Sequence, residues 1–239
     1  MTTPPEQPPI DILIVGWNPN GARLLTDLLS TDPEARIAIL SSGPIEAPLP
    51  PLPDAPRLTH QLTQPRQPTP FSELPITEST AAVLLADRTH PGSDTTLDAR
   101  TFLTAMALRS SHAGCYIIAE LLDETNLSLT DDVGIDHCVL PEHFTGAMLA
   151  QVTQHRGLST FFDDLFRAGS GVQFREITWE ELDLPPLSDS PRFDALASQV
   201  MDHTNLALLG IRRDTQLFLP PAPTLPIHST DHLIVVAPQ

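Results

Sequence analysis

IDILIVGWNPNGARLLTDLLSTDPEARIAIL, residues 10–40, changes hydrophobic period twice, and those changes decide the fold. Residues 10–16 run aliphatic almost without a break and stop at Gly16, the pattern of a parallel strand buried on both faces. After WNPN, the run GARLLTDLLS sets Leu24, Leu25, Leu28 and Leu29 on one helical face. RIAIL, residues 36–40, is a second buried strand. Strand, turn, helix and strand within about thirty residues open a Rossmann-type α/β fold.

Further strands are predicted at LTHQL (58–62), AAVLLAD (81–87), GCYIIAEL (114–121) and DHCVLP (136–141), with a short helical turn at FSELPI (71–76). Residues 93–111 read as a helix with Ser93 as its N-cap, and ETNLSLTDDVG as a short helix ending at Gly134. From Glu142 the period becomes helical with a break at Gly157, and beyond residue 170 strands and one helix make a small α+β unit. The expected organisation is therefore a disordered tail over 1–9, a Rossmann-like parallel sheet over 10–141, helices over 142–170 and a second subdomain over 171–239. The proline-rich stretch GPIEAPLPPLPDAP (43–56) is compatible with neither a regular helix nor a central strand.

The charge excludes some partners. Thirty acidic residues stand against 13 basic ones, all arginine, for a net −17. Such a surface repels phosphate backbones and anionic headgroups, so nucleic acid is not expected as a partner. The two cysteines, Cys115 and Cys138, lie in apolar strand-like runs and fit a reducing compartment. No apolar run approaches the roughly 20 residues of a membrane helix, and MTTPPEQPPI has neither the basic start nor the apolar core of a signal peptide. A role at a membrane would be played from outside the bilayer.

The first turn, Gly16-Trp17-Asn18-Pro19-Asn20-Gly21, is a degenerate dinucleotide fingerprint. In G-x-G-x-x-G the second glycine lets the pyrophosphate approach the backbone, and here that position is Asn18. The acidic residue that would hold the ribose is also missing, because the second strand ends in Ser41-Ser42. The amide end at Asn20–Gly21 still favours an anion, but NAD(H) is not expected to bind. Nine histidines are scattered without H-E-x-x-H, C-x-x-C or G-x-S-x-G, and His137 and Cys138, adjacent on a strand, face opposite ways. The chain reads as no enzyme.

Carboxylates cluster where an open α/β sheet binds ligands, at the carboxyl ends of strands. Asp87 ends the fourth predicted strand, Glu120 nearly ends the fifth, and Asp123 lies just beyond. Converging hard oxygens there would suit Ca²⁺ or Mg²⁺. The alternative is that Asp123 caps the next helix and Asp87 is simply solvated.

The order of these segments resembles the RCK domains of ligand-gated potassium channels, in which a G-W pair replaces the fingerprint after the first strand, as in ILIVGWN. AAVLLADRTHPGSDTTLDARTFLTAMALRS and the stretch from YIIAELLDETNLS to GVQFREI are similar to the CASTOR/POLLUX-type channels, and LALLGIRRDTQLFLPPAPTLPIHSTDHLIVVAP resembles the RCK C-terminal subdomain. The resemblance spans residues 10–239. It implies a regulatory gating-ring module, cytoplasmic at the inner face of the membrane, that couples a ligand or divalent cation to a channel pore in the same or another chain. It implies a homo-oligomer, since the apolar Phe144, Met148, Leu149, Phe161, Phe162, Leu165 and Phe166 fall in helices that cross between partners. It also implies calcium at Asp87 and Glu120, although Leu122 stands where a further acidic ligand would be. Two other readings remain: a nucleotide-dependent oxidoreductase, and a soluble ligand sensor without a channel partner.

Overall fold

The computed structural model describes residues 8–45, 57–63, 69–89, 91–166, 172–182, 184 and 191–238. Most of the tail (1–7), most of the proline-rich stretch (46–56) and the subdomain boundary near 170 lie outside the described residues. The chain divides into two compact units, Met1–Arg156 and Gly157–Gln239.

The first unit is built on six parallel strands, β1 (Ile12–Val15), β2 (Ile37–Ser41), β3 (Leu58–Leu62), β4 (Ala81–Leu84), β5 (Tyr116–Glu120) and β6 (His137–Val139), in the order β3-β2-β1-β4-β5-β6. Ile12 pairs with Ile37 on one side and with Ala81 on the other. Successive strand residues point to opposite faces, so β1 and β2 feed two cores. Leu13, Val15, Ala38 and Leu40 join Ala82, Leu84, Ile117 and Ala119 on one face, where Ala105 and Leu108 of α3 (Asp94–Ser111) cover them. Ile14, Ile37 and Ile39 join Leu25 of α1 (Gly21–Thr31) on the other. Helices on both faces are why these strands carry no polar alternation.

Local chemistry places the helix ends. Ser93 accepts the N–H of Thr96 as the N-cap of α3. α1 stops at Asp32, ahead of Pro33. A four-residue α2 (Thr69–Ser72) and a 3-10 turn (Glu124–Leu129) complete the connections. α4 (Pro141–Gln154) closes the unit with no buried residue, and α5 (Leu158–Leu165) opens the second unit, also with none, on either side of the break at Gly157.

The second unit contains β7 (Val172–Ile177), α6 (Phe193–Thr204), β8 (Ala207–Arg213), β9 (Gln216–Phe218) and β10 (His232–Pro238). The strands form an antiparallel sheet in the order β7-β10-β8-β9. Leu208, Ile211, Leu233 and Val235 pack with Leu196 and Val200 of α6. Asp231, directly before β10, is buried and receives two N–H bonds from Arg213, both at 2.7 Å, and one from the His228 backbone at 2.8 Å. The architecture is the expected one, a Rossmann-like parallel sheet followed by helices and a small α+β unit. Among the described residues no helix is long and apolar enough to cross a membrane.

Candidate functional site

The order of strands reverses between β1 and β4, and the loops leaving their carboxyl ends bound the crevice where such folds take ligands. Gly16 turns out of β1 at φ +82°, and a Cβ there would stand 2.5 Å from the Leu85 carbonyl oxygen. Trp17 then folds into the core against Ile14, Leu25 and Leu85. Its indole lies over the start of α1, so that a Cβ on Gly21 would meet the ring at 2.9 Å. The third glycine of the fingerprint position thus makes room for an aromatic ring of the chain itself.

Asn18 is buried, and each of its amide atoms is used. Nδ2 donates to the Ala86 carbonyl at 3.1 Å and to Glu120 Oε2 at 2.5 Å, while Oδ1 accepts the Asn20 N–H at 2.9 Å. Asn20 holds the N-cap position of α1 without a side-chain cap bond, and its Nδ2 donates to Glu120 Oε1 at 3.2 Å. Glu120, the last residue of β5, also accepts the Ala86 N–H at 2.9 Å. A buried carboxylate is thereby held by neutral amides from the ends of β1 and β4.

The three carboxylates expected at a calcium site, Asp87, Glu120 and Asp123, are each engaged by different partners. β4 ends at Leu84, so Asp87 lies in a loop, where its carboxylate takes the Ser42 hydroxyl at the end of β2 and the N–H and hydroxyl of Thr89 at 3.0 and 2.6 Å. Glu120 turns to the β1–α1 turn instead. Asp123 caps the 3-10 turn through Thr125, whose hydroxyl and N–H hold its carboxyl below the ordinary carboxylate range. Among the described residues no group of three or more His, Cys, Asp and Glu side chains is placed to hold a metal ion. Asp123 instead lines a cavity of about 300 Å³ with Asp94, Leu122, Glu124, Leu140, Glu142 and His143.

Sequence reasoning missed Asp98. It is fully buried on α3, where its oxygens accept the N–H groups of Leu122 and Asp123 at 2.9 and 3.0 Å and Asn126 Nδ2 at 2.8 Å. The signal available was an acidic residue next to Leu97 on the helix face that also carries Ala105 and Leu108. Likewise Ser41 gives its hydroxyl to the Gly43 carbonyl at 2.7 Å and meets His60 Nε2 at 2.8 Å. The serines that leave the ribose position without a carboxylate are thus tied to the chain's own groups. Among the described residues no buried side-chain nitrogen or oxygen lacks a partner.

No protein-family model matches the chain, and no curated protein does. Solved structures do. The human SLO3 gating ring aligns at a TM-score of 0.64 with 15% identity over 95% of this chain, which spans only 44% of that one. The GsuK RCK domain aligns at 0.44 with 12% identity over 98% of this chain and 45% of its own. The NAD(P)-binding domain of an exopolyphosphatase-related protein from Archaeoglobus fulgidus aligns at 0.42 with 16% identity, over 61% of this chain and 98% of its own. The chain therefore has the fold seen in a part of the human SLO3 gating ring.

Proposed function

We propose that the chain is a regulatory domain of an ion channel or transporter, an RCK-like module that assembles with further copies and passes a ligand-dependent change to a pore in its own chain or in a partner. The observation that carries this reading is the extent of the likeness to the SLO3 gating ring, 95% of the chain. A nucleotide-binding enzyme would account for the parallel sheet alone. The gating-ring reading accounts also for the helices at 141–165 and the antiparallel unit after them. The nearer kinship with CASTOR/POLLUX channels rests on the order of the sequence segments, and so does the place at the cytoplasmic face of the membrane. The site supports a role other than catalysis, because Asn18, Glu120, Asp87 and Ser42 are engaged with one another or with nearby loops across the strand ends.

Assembly is part of the same reading. Phe144 and Leu149 of α4 are 55% and 61% exposed, and Phe161 and Phe166 are exposed at and after α5. Two copies of net charge −17 repel, so an apolar contact of this kind is what would have to outweigh the repulsion. Sedimentation equilibrium at micromolar concentration is expected to give at least twice the 26.0 kDa chain mass. Phe144→Asp with Leu149→Asp is expected to return a monomer whose far-ultraviolet circular dichroism matches that of the wild type and whose melting temperature no longer depends on protein concentration. A monomeric wild type would remove the assembly from the account.

A further inference from the structure

At the switch point of an open α/β sheet the loops after the two central strands part and leave a crevice. In this chain they are tied together. The Arg88 N–H donates to the Trp17 carbonyl at 3.2 Å, and Asn18 donates to the Ala86 carbonyl, so the β4–α3 loop is bound to the β1–α1 turn at two points. Glu120 then fastens both, accepting Asn18 and Asn20 from the turn and the Ala86 N–H from the loop. Glu120 is 8% exposed and Asn18 is 6% exposed. A partner lost from such a buried pair leaves the remaining group without its hydrogen bond and without water.

We propose that the Asn18–Glu120 pair is an autoinhibitory latch that holds the β1–α1 and β4–α3 loops against each other and keeps the crevice shut. Its geometry gives it that reach. Asn18 sits after β1, Ala86 after β4 and Glu120 at the end of β5, so one carboxylate ties three strand ends. Any ligand that enters between the loops must first break this bond. The fold's ligand position is thereby coupled to the end of β5 and to the turn that starts α1. The latch rests on reading the crevice as one that takes up no dinucleotide in the resting chain.

Hydrogen exchange on the full chain tests it at the Arg88 amide, whose bond to the Trp17 carbonyl involves neither latch side chain. Asn18→Ala and Glu120→Ala are each expected to speed exchange at Arg88 by roughly tenfold or more, with the amides of Leu13 and Ile39 unchanged. The double variant is expected to go no further than either single one, because the pair acts as a unit. If Glu120→Ala fails to fold, Asn18→Ala decides alone. Unchanged exchange at Arg88, or an equal rise at Leu13 and Ile39, overturns the latch and leaves the regulatory reading standing. Calorimetry of NADH into the wild type is expected to show no binding. Micromolar affinity overturns both the latch and the reading of an unused crevice.

Discussion

Arg213→Ala is expected to destabilise the second unit by about 3–5 kcal/mol, because it strands a buried carboxylate. The Asp231 side chain is fully buried while Arg213 is 26% exposed, so the two halves of the pair are not equivalent. Removing the arginine leaves Asp231 with only the His228 N–H. Removing the aspartate charge leaves an arginine that still reaches water and the Pro226 carbonyl, so Asp231→Asn is expected to cost about 1–2 kcal/mol. A calorimetric melt should show the second unit of Arg213→Ala falling by more than about 10 °C. Equal and small losses for the two variants would mean that the pair is ornamental.

The pair also carries a pH dependence of definite sign. Burial pushes the Asp231 carboxyl up, but the Arg213 guanidinium and the His228 N–H outweigh it and hold the group below its ordinary value. A depressed carboxyl pKa contributes stability that is present above the unfolded value of about 4 and is lost as pH falls through the folded value. The gap between wild type and Arg213→Ala is therefore expected to be full at pH 7 and to narrow below about pH 4. A gap that widened on acidification would contradict this assignment.

Gly16→Ala is the second large effect, and it acts on the first unit. The residue sits at φ +82°, and the added methyl carbon would stand 2.5 Å from the Leu85 carbonyl oxygen, a backbone atom of the neighbouring strand's exit. Left-handed backbone costs a residue with a Cβ roughly 1–2 kcal/mol, and overpacking adds about 1–3 kcal/mol. The expected loss is thus about 2–5 kcal/mol, read from the denaturant midpoint. Gly21→Ala is expected to cost less, about 1–2 kcal/mol, since its new methyl meets the Trp17 ring and not a backbone atom. Equal losses at the two glycines would show that the Leu85 contact is not what requires Gly16.

The strands were legible because the physics that forms them is local. Unbroken runs such as Ile37–Leu40 admit only a strand covered on both faces, and Ser93 before an 18-residue helix reads as a cap from its own side chain. The carboxylates were not legible in the same way. AAVLLA stays apolar beyond Leu84, so the run does not reveal that pairing stops there and that Asp87 swings toward Ser42. Glu120 lies 102 residues from Asn18 and 100 from Asn20, and nothing in either neighbourhood announces the bond. The fingerprint position was read as a lost glycine. In the fold Asn18 is instead one half of the closure, and Trp17, read only as half of a G-W pair, supplies the ring that fills the turn.

The proposed role of this chain is the regulation of ion conduction. Rubidium flux across the membrane of cells that make the chain, measured against the same cells lacking it and again with the gene restored, tests it most directly. The flux is expected to change when the chain is lost, to return when the wild-type gene is restored, and not to return with the dimer-breaking pair Phe144→Asp and Leu149→Asp. Identical fluxes in all four cell lines, over the range of external potassium in which the cells grow, would contradict it.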